Sequence, residues 1–357
     1  MSVEAPAFIE AERDLEPAGI DILLERHRAR LEKFGKPQVD PIDFDLQSDE
    51  VVRRISAEFA DTLTAPGNKA LVAAEITRYN PGRIIEDEQG KVLPVRVESR
   101  NSELDSKVMF FREQNDVMRL DINLPIIGAK DRGYQDPRHM ASIQGYKIIA
   151  PVEVKRHEQN PEWTMYRQVY FRYKNSISEI AEPFAYGSWG EKGTTAVEVD
   201  KKIKRFSRPQ TNEIYVETMD DMEQIGAPIT QAKKIEGLFG PKEWGGFNDL
   251  RLLDNGLIGI AGHIARYRPS NTNLRDYYAT AGLYDPEQDK MIAWEIIFSA
   301  EQVPFPVTPK FPTLGHTFYP GGIYQREPNT YELNGGVGDS ATAKVTYKMN
   351  PWEMIVN

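Results

Sequence analysis

YQDPRHMASIQGYKIIAPVEV, residues 134–154, joins two kinds of sequence. Its second half, YKIIAPVEV, is an apolar, β-branched run that follows Gly145, as in a buried strand. Its first half gathers Asp136, Pro137, Arg138 and His139 just ahead of that run. Similar runs recur from about Leu71 onward: KVLPVRVES (91–99), SKVMFFRE (106–113), MYRQVYFRY (165–173), LIGIAGHIARY (257–267), MIAWEIIFSA (291–300) and AKVTYKM (343–349). Gly, Asn, Pro and Asp clusters separate them, and RQVYFRY alternates polar and apolar residues. Short strands with closely spaced turns predict an all-β fold of antiparallel sheets. The long helical segments of a βαβ series are missing. A sandwich, a barrel or a propeller fits.

The layout favours the propeller. A polar residue precedes an apolar strand in YNPGRI (79–84), YQDPRH (134–139), GFNDLRLLDNG (246–256) and HTFYPGG (316–322), at intervals of about 56, 113 and 67 residues. The longest interval has room for two units. In a propeller the innermost strand of each blade lies at the central axis. Polar residues at the same end of successive strands then converge on one funnel.

Composition narrows the partners. The net charge of −10 over 357 residues argues against nucleic acid, because phosphate-backbone binding needs a positive field. A small phosphorylated ligand needs only a local arginine cluster. The chain has no cysteine, so a disulfide framework and a Cys metal site are excluded. The acidic start MSVEAPAFIEAERDLEP lacks the apolar segment of a signal peptide, and no apolar run approaches a bilayer span. The expectation is a cytoplasmic protein with no membrane partner. Residues 17–35 and 49–65 have helical periodicity, so residues 1–70 are expected to form a helical extension and residues 71–357 the β domain. Those helices could cap the β domain or join subunits of a homo-oligomer.

Asp136 has two readings. It caps a bend within a DP pair, or it gives and takes a proton in a pocket. Arg138 suits bidentate contact with a carboxylate or phosphate, or a buried pair with an acid. In EWGGFNDLRLLDNG (243–256), Trp244 or Phe247 offers a face to a sugar ring or plugs a gap between sheets, with Asn248 and Asp249 alongside. His263 and Arg266 in GHIAR, with His316 and Tyr319 in HTFYPGG, would make an anion site with Arg96, Arg138 and Arg208 if the fold brings them together. Asp339, in GGVGDSATAK, lies among small residues that let backbone approach a ligand or a neighbouring strand. The five histidines form no HExxH motif, and no P-loop, dinucleotide fingerprint or nucleophile elbow is present, so no metal or cofactor is expected.

Taken in order, YNPGRI, VRVESRNSELDSKVMFF, YQDPRHMASIQGYKIIAPVEV, FSRPQ, EWGGFNDLRLLDNGLIGIAGHIARY, TFYPGGIYQR and GGVGDSATA span about residues 76–347. This set resembles the five-bladed β-propeller glycoside phosphorylases of β-mannosides. More closely it resembles the β-1,2-mannan mannosyltransferase/phosphorylase family, formerly a domain of unknown function. The resemblance implies a five-bladed β-propeller that acts on β-mannosides, including β-1,2-linked mannan oligosaccharides, with inversion. Asp136 would be the general acid, acting through a sugar hydroxyl. Arg96, Arg208, His263 and Arg266 would hold the phosphoryl group, with His316 and Tyr319 nearby. Asp339 would line the pocket, and Asn80, Asn248 and Asp249 would stand at its rim. The co-substrate would be inorganic phosphate, mannose 1-phosphate or a nucleotide sugar. Close relatives carry an aromatic residue after the DP pair, where this chain has Arg138 and His139. Two other readings stay open: a hydrolase, with Glu153, Asp249 or Asp339 as the base, and a glycan-binding propeller without catalysis.

Overall fold

Each apolar run named above forms a strand in the computed structural model, which describes residues 18–65, 67–100, 102–160, 163–209, 212–230 and 232–356. The strands form antiparallel meanders. The first contains Ile76–Tyr79, Gly90–Ser99, Lys107–Gln114 and Val117–Leu120. The second contains Gly133–Ile143, Tyr146–Arg156, Thr164–Tyr173 and Ala185–Tyr186, and the third Glu191–Val199, Lys202–Pro209, Tyr215–Met219 and Lys233–Lys234. An eight-stranded sheet joins two further meanders, one starting at Glu243–Leu252 and the other at His316–Glu327. The link between them is a short parallel pairing of Asp276 with His316 and Tyr277 with Thr317.

The first strands of the later meanders touch one another around the axis, and in the first meander the segment 80–84 that follows Ile76–Tyr79 joins them. A Cβ on Gly82 would lie 2.6 Å from the Pro137 carbonyl oxygen, and one on Gly321 would lie 1.9 Å from the Pro81 oxygen. Only glycine allows the inner strands to approach this closely. The Asp249 carboxylate accepts from the Ile323 N–H at 3.2 Å, which ties the last two inner strands. The result is a propeller-like all-β fold whose apolar clusters lie between neighbouring sheets. Phe206 packs edge-on against Tyr284 at 5.1 Å between ring centres, and Phe247 lies 5.5 Å from Phe206.

The N-terminal part differs from a separate helical extension. Helix α1 (Gly19–Phe34) buries Ile20 and Leu23 against Phe206, Phe247 and Ile258. Its first N–H groups have no partners within the helix, and the Ile20 N–H donates to Glu243 Oε1 at 2.8 Å. Helix α2 (Asp49–Glu58) starts at a Ser48 cap and ends earlier than its periodicity predicts; Val52 and Ile55 pack with Val95 and Phe111. Helix α3 (Lys69–Glu75), capped by Asn68, crosses the boundary expected at residue 70. Between α1 and α2, Gln38–Pro41 pairs with Ala341–Tyr347, and Phe44–Asp45 pairs with Val117–Leu120. The N-terminal segment therefore stitches the last meander to the first. Residues 1–17 of the expected extension lie outside the described residues. No described helix is long and apolar enough to cross a membrane.

Candidate active site

Asp136 stands inside the strand Gly133–Ile143, not in a turn ahead of one. Gln135 pairs with Val152 and Arg138 with Ala150, so Asp136 and Pro137 together oppose Pro151. Neither proline has an N–H to donate, and the ladder opens into a bulge. Asp136 takes left-handed backbone there, with φ 46°. Asn80 and Asp339 do the same, with φ 44° and 51°. Asn and Asp tolerate this region better than most residues. The inner strands at Lys192/Thr195, Phe247/Asp249 and Pro320/Gly322 are irregular as well. Bulges re-aim side chains, and here they turn several toward the axis.

The strand starts surround a cavity of about 270 Å3. Asn80 Nδ2 donates to Asp136 Oδ1 at 3.0 Å, and Arg96 Nη1 lies 3.4 Å from the same oxygen. Arg96 is held by Glu98 Oε2 at 2.8 and 3.0 Å. Tyr79 donates to the other Glu98 oxygen at 2.6 Å, and Lys310 bonds that oxygen too. Burial opposes the Arg96 charge, yet Tyr79, Glu98, Asp136 and Asp339 hold its pKa well above the ordinary value. Burial pushes the Asp339 carboxyl up to about 6; Asp136 and Glu98 add to the rise, and Arg96 opposes it.

Part of the same lining is basic. Arg138, Lys192, Arg208 and Arg275 line it, and none of them faces a carboxylate within 4.0 Å among the described residues. Arg138 is 4% exposed. Its Nη2 donates to the Tyr319 hydroxyl at 3.1 Å, while Nε and Nη1 have no hydrogen-bond partner among the described residues. Arg208 donates to the Gly245 carbonyl at 2.8 Å. Burial pushes Lys192 down to about 8, and Arg208, Arg138 and Arg275 push the same way. Burial, and then Arg138, lowers Arg208 too. Buried cations without counter-charge are costly, and an anion offsets that cost.

The cavity brings together Asp136, Asn80, Arg96, Arg138, Arg208, His263, Tyr319 and Asp339. Asn248 stands behind, its Oδ1 2.7 Å from His263 Nδ1. Burial, and then Arg208, Arg138 and Lys192, drives the His263 pKa well below 6.5, so the ring is neutral. The ring forms part of the cavity wall. Trp244 lies in an adjoining recess. Three expected residues are elsewhere. Arg266 binds Asp21 of α1 at 2.8 Å and lies 3.9 Å from Asp276. His316 is half-exposed, 3.8 Å from Glu301. Asp249 is buried toward the far ends of the inner strands, 3.3 Å from Arg83. Sequence reasoning missed Lys192, Arg275 and Tyr277. Lys192 precedes Gly193 at a strand start inside the 113-residue interval, a usable signal. Among the described residues no cluster of His, Asp or Glu could hold a metal ion.

A propeller-like β fold with a polar, cation-walled axial cavity defines a class, and comparison with known proteins places the chain within it. The chain belongs to the family described as "Protein of unknown function (DUF1861)", whose model matches residues 75–353. No curated protein matches it. It is similar in structure to MPT-4, a mannose phosphorylase from Leishmania mexicana solved with phosphate ion, with 20% identity and a TM-score of 0.73 over 92% of this chain and 94% of that one. MPT-1, a GDP-Man-dependent mannosyltransferase from the same organism, gives a TM-score of 0.72 at 20% identity and the same coverage. A β-1,2-mannobiose phosphorylase from Listeria innocua, complexed with β-1,2-mannobiose, gives 0.54 at 14% identity over 77% of this chain and 91% of that one.

Proposed function

We propose that the protein is an inverting enzyme that moves mannosyl units between a β-mannoside, β-1,2-linked mannan oligosaccharides included, and phosphate. Its meanders are read as the blades of a five-bladed propeller, with the active site at the strand starts. One observation carries this reading: Arg138, Lys192, Arg208 and Arg275 share a cavity with Asp136, and among the described residues none of the four has a carboxylate within 4.0 Å. In phosphorolysis a phosphate oxygen bonds to the anomeric carbon and the glycosidic C–O bond breaks. The departing sugar oxygen takes a proton from the Asp136 carboxyl, directly or through a sugar hydroxyl. The basic wall holds the phosphate and stabilises the charge that shifts in the transition state. The similar folds named above support mannosides as the substrate.

Asp339 favours a second reading. In an inverting hydrolase one carboxylic acid protonates the leaving oxygen and a separate carboxylate activates water. Asp339 shares the Asp136 cavity, whereas Glu153 is fully buried between Arg132 and Arg167, and Asp249 is paired with Arg83. Product analysis on β-1,2-mannobiose, with and without phosphate, separates the two. Mannose 1-phosphate that forms only with phosphate supports the phosphorylase. Equal mannose release in both conditions sinks it.

A further inference from the structure

The link between the fourth and fifth meanders, residues 303–315, carries Pro304, Pro306, Pro309 and Pro312. Each proline fixes its own φ and stiffens the segment. The loop is tied on both sides of Asp339. The Lys310 N–H donates to the Gly338 carbonyl at 2.8 Å, and the Ser340 hydroxyl donates to the Thr308 carbonyl at 2.7 Å. Leu314, from the same loop, lines the Asp136 cavity. The Lys310 side chain points inward and is 2% exposed. Its Nζ bonds Glu98 Oε1 and lies 3.7 Å from Glu103 Oε1. Glu98 stands on Gly90–Ser99, so this contact joins the loop to the first meander.

A lysine rarely leaves water completely, and its long side chain usually lets the charge stay outside. Glu98 does not need Lys310 for charge balance. Arg96 already donates to Glu98 Oε2 from Nε and Nη2, at 3.0 and 2.8 Å. Tyr79, which also bonds Glu98, is neutral, because burial pushes its hydroxyl well above its ordinary range. With Lys310 added, one carboxylate stands between two cations, and the buried cluster keeps one positive charge. That charge faces two carboxyls. Arg96 Nη1 lies 3.4 Å from Asp136 Oδ1. Burial pushes the Asp339 carboxyl up; Arg96 opposes the rise, Asp136 and Glu98 add to it, and Lys310 opposes it. Two charged carboxylates would outweigh the single positive charge. One proton between them balances it, and a group that protonates a leaving oxygen needs that proton.

We propose that Lys310 is a positioning residue for the proton donor: through Glu98 and Arg96 it supplies the positive charge that holds Asp136 and Asp339 at one shared proton, and through the proline loop it fixes the place of Asp339. The proposal rests on the reading of Asp136 as the acid. Other charges face the same space. Arg138, Lys192, Arg208 and Arg275 line it, and Glu103 stands half-exposed at its edge, where water screens it. All of them stay in place when Lys310 is replaced. Without the Lys310 charge the Glu98–Arg96 cluster is neutral, and the two carboxyls keep their protons to higher pH. The alkaline limb of turnover, where the donor proton is lost, therefore moves upward.

The test is the pH profile of kcat on β-1,2-mannobiose with the whole protein. Saturating phosphate keeps any change of phosphate affinity out of the readout. Lys310→Met should move the alkaline limb up by about 0.5–1 pH unit, less than a directly paired charge would, because Lys310 acts across Glu98 and Arg96. Lys310→Arg restores the charge and should return the limb to its wild-type position. Ser340→Ala cuts a tie of the loop without a change of charge and should leave the limb where it is. A limb that does not move in folded Lys310→Met, that stays displaced in folded Lys310→Arg, or that moves equally in Ser340→Ala overturns the proposal and leaves the phosphorylase reading standing. Lys310→Gln repeats the test if Lys310→Met does not fold; if neither folds, Lys310 is structural and the proposal falls. Equal mannose release with and without phosphate removes the phosphorylase reading alone, and the limb of hydrolysis then tests Lys310 in the same way. Wild-type protein that turns over no β-mannoside overturns both.

Discussion

The inner strands open on two cavities, one at each end, and the two use charge differently. The space at the strand ends is the larger, about 750 Å3, with Arg83, His139, Arg251 and Tyr324 in its lining. Its buried polar groups Arg83 and His139 are matched within the protein. Arg83 lies 3.3 Å from Asp249 and 2.8 Å from His139 Nδ1, and His139 Nε2 meets the Tyr173 hydroxyl at 3.0 Å. Arg251 donates to Gln325 at 2.9 Å. Burial, with Arg83 and Lys147 behind it, keeps His139 neutral. The smaller cavity at the strand starts holds cations with no carboxylate within 4.0 Å among the described residues, while left-handed backbone occurs at both ends, at Asn80, Asp136 and Asp339 here and at Ser142, Asp200 and Lys201 in the larger space. Volume does not mark the site here. Unpaired buried charge does, because a fold keeps such a costly feature only where surrounding structure or a ligand compensates.

This contrast is open to attack by mutation. Asp136→Asn should lower kcat about 100- to 10,000-fold with no loss of fold by circular dichroism. Unchanged turnover would break the assignment of the smaller cavity. At the other end, Arg83→Met leaves Asp249 buried without its partner. The expected cost is about 3–5 kcal/mol of stability, read from urea unfolding, with phosphate affinity unchanged in the protein that folds. If Arg83→Met instead abolishes phosphate binding at full stability, the roles of the two ends are reversed.

Arg138→Met removes a cation that repels its neighbours. It should weaken phosphate about 10- to 100-fold, as expected for lost charge-assisted hydrogen bonds, while stability holds or rises. A drop in stability without a drop in affinity would make Arg138 structural. The smallest effect is a pH dependence. Lys192 in the free protein loses its proton near pH 8, whereas the unfolded chain keeps it until about 10.5. Stability from this group is therefore lowest below pH 8 and rises between about 8 and 10.5. Phosphate favours the charged lysine, so its affinity should fall as pH rises above about 8, by at most ten-fold per unit. Lys192→Arg should flatten that fall; an identical profile in the variant would remove Lys192 from the phosphate site.

Alternation along a strand makes part of this site legible without coordinates. His263 and Arg266 are three residues apart on Ile258–Arg268, so they face opposite sides of the sheet. His263 reaches the cavity and Arg266 reaches α1. The same count separates His316 from Tyr319. Lys192 sits in GEKG at a strand start, and escaped notice because its unit opens on Glu-Lys-Gly with no Asn or Asp. Arg275 had no local signal. It lies on Asn271–Asp285, the third strand of its meander, and reaches the cavity because that strand runs long enough to pair with His316 and Thr317.

The sequence by itself determined the strands and the break at Asp136. β-Branched runs between glycines fold locally as strands, and two prolines facing each other have no N–H with which to continue a ladder. It also pointed to Asp136, Arg96, Arg208 and Asp339 through the ordered set of motifs. Only the tertiary structure decided which charges stand together and which are already matched. Arg138, Lys192, Arg208 and Arg275 come from three different meanders, while Arg83, similar in kind, is paired with an aspartate 166 positions away. Distance through space and removal from water set the energy of a charge, and both arise only when the inner strands close around the axis.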